Sequence, residues 1–236
     1  LLRWRRITEV TIFLVSALFG ILLLLAGLLG AAKLGAENGA LAFAFVLFGL
    51  LLISGIFAEE ISIGSKIPGA DYFLKNVDGE ESTLSAFKKE NGLLVIFSCN
   101  TCPWVIRWQD RYNILSAFSR KNDIGFVAVN SNARLHDSVD SMDEMIYHAT
   151  VNEYDFPYVM DEDAKLAKAF GAMKTPHVYL FDANDRLVYT GAIDDNAKSL
   201  KRVKKNYLMD ALSSLGSGKN IATRKTKALG CSFKFN

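Results

Sequence analysis

Cys99 and Cys102 are the residues whose type and spacing speak most directly of chemistry, two thiols separated by Asn100 and Thr101. A Cys-x-x-Cys pair serves either dithiol–disulfide exchange or half of a metal site. In exchange, one thiolate attacks a partner sulfur and the second thiol breaks the resulting mixed disulfide. A metal site needs two more ligands, and the sequence offers Cys231, His136, His148 and His177 without a second paired spacing. The expectation is therefore redox chemistry with no metal and no cofactor. A copper- or zinc-binding assembly factor is the less favoured alternative.

What positions the pair is a strand before it and a helix after it. Leu93–Ser98 is a continuous apolar run, suited to a central strand buried on both faces. From Pro103 to about Arg120 the pattern is helical, with proline in the first turn, where a missing N–H costs nothing. A thiolate at such a junction is stabilised by free backbone N–H groups and the helix dipole. The first cysteine of the motif is expected to be exposed and the second more buried. Cys99 is therefore assigned as nucleophile and Cys102 as resolving thiol.

The flanking elements alternate. Asp71–Val77 with the turn Asp78-Gly79 reads as a hairpin-like start, Ser82–Lys89 as a short helix and Ile124–Asn130 as a second buried strand. Ser141–Asn152 and Asp163–Phe170 read as helices, the latter ending at Gly171. His177–Phe181 and Arg186–Thr190 form a hairpin around Ala183-Asn184-Asp185, and Ser199–Leu215 is the last long helix. This order predicts an α/β domain over residues 61–236, with a mixed central sheet flanked by helices and with Ile61–Pro68 as a linker into it.

Composition adds a membrane segment over residues 1–60. Half of the 236 residues are hydrophobic, and the excess is concentrated at the start. Val10–Leu29 carries no charge and is long enough to span a bilayer, with Arg3, Arg5 and Arg6 holding that end in the cytoplasm. Ala40–Ala58 is a second uncharged stretch, giving helices at about 10–30 and 40–58 joined by a turn containing Gly35 and Gly39. Its end, Ile56-Phe57-Ala58 before Glu59-Glu60, also resembles a signal-sequence cleavage site, although no basic residue immediately precedes it. Two crossings leave the redox domain in the cytoplasm. One crossing or a cleaved signal places it on the extracytoplasmic, periplasmic side, which is the favoured reading. The 27 basic and 25 acidic residues, less the four and two among the first 57, leave an electrically neutral remainder. Nothing in it marks a nucleic-acid surface.

Four motifs together carry a resemblance: Leu94–Trp104 (LVIFSCNTCPW), Lys174–Asp182 (KTPHVYLFD), Gly191–Asn196 (GAIDDN) and Gly230–Lys234 (GCSFK). The chain resembles a bacterial branch of the AhpC/TSA–redoxin, thioredoxin-like proteins. The resemblance implies a thioredoxin-like fold, a cis bond between Thr175 and Pro176 packed against the cysteines, and a backbone edge there for a substrate strand. It implies thiol-dependent oxidoreductase activity on protein thiols or disulfides, or with a thioredoxin-type electron donor. It also raises an alternative, a peroxiredoxin-like thiol peroxidase. There Cys102-Pro103 matches the peroxidatic cysteine, while Cys99 stands where a threonine orients peroxide. Disulfide exchange ranks above that alternative. Cys231, within Gly230-Cys231-Ser232, is either a third redox thiol or a half-buried free cysteine.

Weaker candidates surround these. Trp104 and Trp108 share a helix face, as core or as a shield for the thiols. His177 either tunes a thiolate or starts a strand with its ring at the surface. Asp194, Asp195 and Asn196 read as a solvated polar turn ahead of a calcium site. Lys198, Lys201, Arg202, Lys204 and Lys205 read as a basic, solvated helix face. Glu90 is a weak candidate for a buried acid assisting the thiols.

Overall fold

Strand β3, Gly92–Ser98, is buried at every position and divides the core in two. Its alternating side chains point to opposite faces. Leu94 and Ile96 join one apolar cluster with Val105, Trp108, Tyr112 and Leu212, whereas Leu93, Val95 and Phe97 join another with Leu166, Phe170 and Phe181. The computed structural model describes residues 59–235. The hydrophobic segments at 10–30 and 40–58 and the signal-cleavage reading lie outside them. Among the described residues no helix is long and apolar enough to cross a membrane.

The other strands are β1 (Leu74–Asn76), β2 (Glu81–Ser82), β4 (Ile124–Asn130), β5 (Tyr158–Met160), β7 (His177–Asp182) and β8 (Leu187–Gly191). With β3 they form one mixed sheet in the order β2-β1-β5-β4-β3-β7-β8. β3 runs parallel to β4 and antiparallel to β7, so the predicted mixed sheet is present, with the late hairpin β7–β8 as its antiparallel edge. A separate two-stranded ribbon pairs β6 (Lys174–Thr175) with β9 (Cys231–Ser232). That ribbon joins residues far apart in the chain and was not foreseen.

The helices are α1 (Leu84–Phe87), α2 (Pro103–Trp108), α3 (Tyr112–Lys121), α4 (Met142–Val151), α5 (Lys165–Phe170) and α6 (Tyr207–Gly216). Four expectations are corrected. The helix from Pro103 breaks into a 3-10 turn at Gln109–Arg111, where the Arg111 guanidinium takes the Arg107 carbonyl at 2.8 Å. α5 starts at Lys165 rather than Asp163, because Asp163 and Ala164 have φ of 58° and 54°. The buried Asp161 carboxylate instead accepts from the N–H groups of Leu166 and Ala167, both at 2.9 Å.

The last helix starts at Tyr207, not Ser199. Asn196 Oδ1 takes the Lys198 and Ser199 N–H groups and Asp195 Oδ1 takes that of Lys204, so polar side chains claim the donors a helix would use. Lys201 and Arg202 lie in a short 3-10 helix, Leu200–Arg202, and Lys198, Lys204 and Lys205 lie outside any helix, so no α-helical basic face forms. Ile61–Pro68 is likewise no free linker. Ile61 N–H bonds to the Phe170 carbonyl, and Gly64 and Ser65 pair with Leu187 at 2.8 and 2.9 Å.

Glu60 pins this start of the domain to the hairpin. Its carboxylate meets His177 Nε2 at 3.2 Å, Thr190 Oγ1 at 3.0 Å and Lys225 Nζ at 3.1 Å. The His177 contact, ahead of the Lys225 and Thr190 bonds, lowers the Glu60 pKa to about 2. A carboxyl whose folded pKa lies below its unfolded value stabilises at neutral pH and loses that contribution as pH falls toward the folded pKa. Glu60→Gln is therefore expected to lower the thermal midpoint at pH 7, with the gap to the wild type closing between about pH 5 and pH 2. Thermal denaturation followed by circular dichroism across that range checks it.

Candidate active site

Thr175 gathers the cysteines. Its hydroxyl lies 3.6 Å from Cys99 Sγ and its carbonyl oxygen 3.2 Å from Cys102 Sγ. Its backbone is registered opposite Cys231 in the β6–β9 ribbon. The Thr175–Pro176 bond is cis. All three cysteines are free thiols.

The expected exposure of the pair is not what is found. Cys99 is 1 % exposed and Cys102 5 %, while Cys231 is half-buried. The order of acidity is also opposite to expectation. The Cys102 pKa is lowered, first by a hydrogen bond from the Cys99 thiol, then by the Cys231 thiol and the backbone N–H groups of Val105 and Cys231. The Cys99 pKa is raised by that same bond to Cys102, by burial and by the Asp140 carboxylate. Cys102 is the N-cap of α2 but its sulfur makes no capping hydrogen bond, and its thiol donates to the Thr175 carbonyl oxygen.

The buried acid near the thiols is Asp140, and Glu90 sits exposed at a turn. Asp140 accepts from the Asn100 backbone N–H at 2.8 Å, Asn130 Nδ2 at 3.1 Å and Asn132 Nδ2 at 2.9 Å. Asn100 in turn accepts from the Tyr158 hydroxyl at 2.8 Å and donates to the Val139 carbonyl at 3.0 Å. The first residue between the cysteines is thus held by three partners, while Thr101 is exposed. Sequence spacing carried no signal for Asp140. Only the run Asn130–Asn132 at the end of a buried strand hinted at a polar network beside the site.

A second network holds α2. Asp194 is buried, contrary to the solvated-turn reading. It accepts from Trp108 Nε1 at 2.9 Å and lies 2.8 Å from Arg111 Nε. Arg111 also donates to the Asn196 carbonyl at 2.9 Å. Trp108 is fully buried, and Trp104 packs on it with ring centroids 5.9 Å apart. His177 is buried rather than at the surface, and its ring meets Tyr179, Thr190 and Glu60 instead of a thiol. His148 meets Tyr154. Among the described residues no group of three or more His, Cys, Asp or Glu side chains is arranged to hold a metal ion.

Removing Asp194 leaves a buried guanidinium and an indole N–H without their acceptor. Asp194→Ala is expected to cost about 3 kcal/mol, because a broken buried pair strands its partner charge. Asp194→Asn, which can keep one of the two acceptor roles, is expected to cost less. Urea titration of both variants checks the order.

The Redoxin family model matches residues 62–206. A hypothetical protein from Sinorhizobium meliloti 1021 is 30 % identical, with 75 % of this chain and 97 % of that one covered at a TM-score of 0.69. An uncharacterized conserved protein from Geobacillus kaustophilus is 32 % identical over 74 % of this chain and 93 % of its own, also at 0.69. A peroxidoxin from Mycobacterium tuberculosis shares the fold at 14 % identity and a TM-score of 0.52, covering 67 % of this chain and 98 % of that one. No curated protein matches the chain. With a thioredoxin-like α/β fold and a family match over more than half its length, the chain belongs to the Redoxin family.

Proposed function

We propose that the chain is a thiol–disulfide oxidoreductase in which Cys99 and Cys102 cycle between dithiol and disulfide. One observation carries this reading. Two free cysteines two residues apart stand at a strand-to-helix junction, with Cys99 Sγ facing the Thr175 hydroxyl and Cys102 Sγ the Thr175 carbonyl. Membership of the Redoxin family supports an oxidoreductase activity of the thiol type. The lowered pKa of Cys102 and the raised pKa of Cys99 support Cys102 as the attacking thiolate and Cys99 as the thiol that closes the disulfide, the reverse of the assignment from motif position. Cys102 attacks a partner disulfide, one partner thiolate leaves, and Cys99 then displaces the second as the Cys99–Cys102 bond forms.

A second reading is favoured by the same acidic Cys102, followed by Pro103. A thiol peroxidase would oxidise the Cys102 thiolate to sulfenic acid with release of water, and Cys99 would condense with it. Dimedone labelling of Cys102 in the Cys99→Ala chain after peroxide treatment separates the two. Labelling with matched peroxide consumption favours the peroxidase, and its absence leaves exchange.

The hydrophobic stretches 10–29 and 40–58 lead us to propose a membrane tether, with the thiols on the extracytoplasmic side, where disulfides persist. The apolarity of the two segments supports the tether. Labelling of single cysteines introduced at exposed sites such as Thr101, with a membrane-impermeant maleimide in whole cells, is expected to succeed from outside. Labelling only after lysis would reverse the sidedness.

Turnover with a protein disulfide is expected to disappear in both Cys99→Ser and Cys102→Ser chains. Retention in either overturns the reading. A lowered folded pKa keeps Cys102 reactive below the ordinary thiol range, with reactivity falling as pH drops through that pKa. Single-turnover reaction of Cys102 with an aromatic disulfide is therefore expected to stay fast at pH 6. Cys99→Ala should move the inflection upward, since the Cys99 hydrogen bond is the largest cause of the shift. Stopped-flow pH–rate profiles check both.

A further inference from the structure

Cys231 is delivered to the site by a strap. β9 lies antiparallel on β6 with Thr175 opposite Cys231 and Lys174 opposite Ser232, and Lys174 Nζ reaches Ser232 Oγ at 3.2 Å. Gly230 permits the approach, since a Cβ there would stand 2.3 Å from the Thr175 carbonyl oxygen. Beyond the cysteine, Phe233 is buried edge-on against Phe97 at 5.8 Å, and Phe235 stacks on Phe233 at 5.1 Å. The Lys234 N–H bonds to Asn132 Oδ1 and its carbonyl accepts from Arg134. Upstream, Thr226 is fixed by backbone and hydroxyl bonds to Thr190, Ala192 and Tyr189. Between these two anchors residues 227–230 are irregular. The strap is pinned at both ends and slack just before the cysteine.

All three cysteines meet at Thr175, whose hydroxyl faces Cys99 Sγ at 3.6 Å, whose carbonyl takes the Cys102 thiol at 3.2 Å and whose backbone pairs with Cys231. Cys231 is also the most exposed of the three. A disulfide between Cys99 and Cys102 joins two buried sulfurs, whereas one between Cys102 and Cys231 includes the most exposed of the three cysteines.

We propose that Cys231 is a third redox thiol, which exchanges with the Cys99–Cys102 disulfide and passes it to an external protein dithiol. The inference rests on the exchange reading above and names the port of that site. Cys231 sulfur attacks Cys102 sulfur, the Cys99–Cys102 bond breaks, the Cys102–Cys231 bond forms, and the proton from Cys231 ends on Cys99. No electrons are gained or lost in that step. A dithiol protein then attacks Cys231 sulfur, Cys102 leaves as a thiolate, and the partner's second thiol releases Cys231. The partner is oxidised by two electrons and the chain is reduced by two. The electrostatics agree with this order. In the dithiol state charge on Cys102 and burial hold the Cys231 proton on, and closing the Cys99–Cys102 bond removes that charge. β9 also occupies the β6 edge, which an extended cysteine-bearing segment of a partner would pair with once the strap lifts.

The test uses the full chain, oxidised, quenched with N-ethylmaleimide, cut with trypsin and sequenced by mass spectrometry. A fraction of peptide 90–107 is expected linked to peptide 228–234 through Cys102 and Cys231, with Cys99 carrying the maleimide. Reduction of the oxidised chain by thioredoxin, the probe dithiol, is expected to slow at least tenfold in both Cys231→Ser and Cys231→Ala, with the Cys99–Cys102 disulfide still forming. Absence of the linked peptide, or an unchanged rate in both variants, overturns the relay and leaves the exchange reading standing. Failure of the wild-type chain to form any Cys99–Cys102 disulfide overturns the exchange reading and the relay with it.

Discussion

Thr175 is the residue on which the rest of the site depends. Its hydroxyl faces Cys99, its carbonyl faces Cys102, and its backbone registers Cys231. A sulfur makes weak hydrogen bonds, so thiols are placed by the backbone around them more than by their own contacts. β6 is only two residues long, yet it sits between the turn at Gly171 that ends α5 and the start of β7, whose six-residue pairing with β3 fixes its position. The strand that carries Cys99 at its end and the strand that follows Thr175 are thus neighbours in the same sheet. The distance between the two halves of the site is set by the sheet's own hydrogen bonds.

Around this hub the site places charges of one kind on opposite sides. Asp140 stands under Asn100 and disfavours ionisation of Cys99, while N–H groups and neutral thiols turn toward Cys102. The same buried carboxylate that shapes the loop between the cysteines therefore also helps decide which sulfur carries the charge. Asp194 does a different task a helix away, tying Trp108 and Arg111 so that α2 presents its first turn at a fixed angle. Both acids are buried among donors, as buried charges must be.

Much of the frame was legible in the residues. β3 and β4 are read directly from continuous apolar runs, and the hairpin β7–β8 from Ala183-Asn184-Asp185, where Asp182 Oδ1 accepts from both Asn184 and Arg186. The cysteines and the Thr-Pro pair that the motifs singled out are brought together, and the Thr175–Pro176 bond is cis. Periodicity failed where side chains compete with backbone, as in 195–206, and where left-handed residues delay a helix, as at Asp163 and Ala164. Motif position misjudged the exposure of Cys99 because burial depends on groups distant in sequence. Asp140 lies 40 residues from Asn100, and the strand partner of Thr175 is near the C-terminus. No local pattern encodes such contacts.

The aromatic clasp made by Phe233 and Phe235 has a kinetic meaning. A thiol held on a docked strap meets Cys102 at an effective concentration in the range of about millimolar, set by strap length and slack rather than by solution content. A free thiol at micromolar levels competes poorly with it. In the proposed relay, small dissolved thiols at such levels are outcompeted for the buried pair. The hydrophobic grip of two phenylalanines, which has no chemistry of its own, becomes the filter on what the sulfurs can react with.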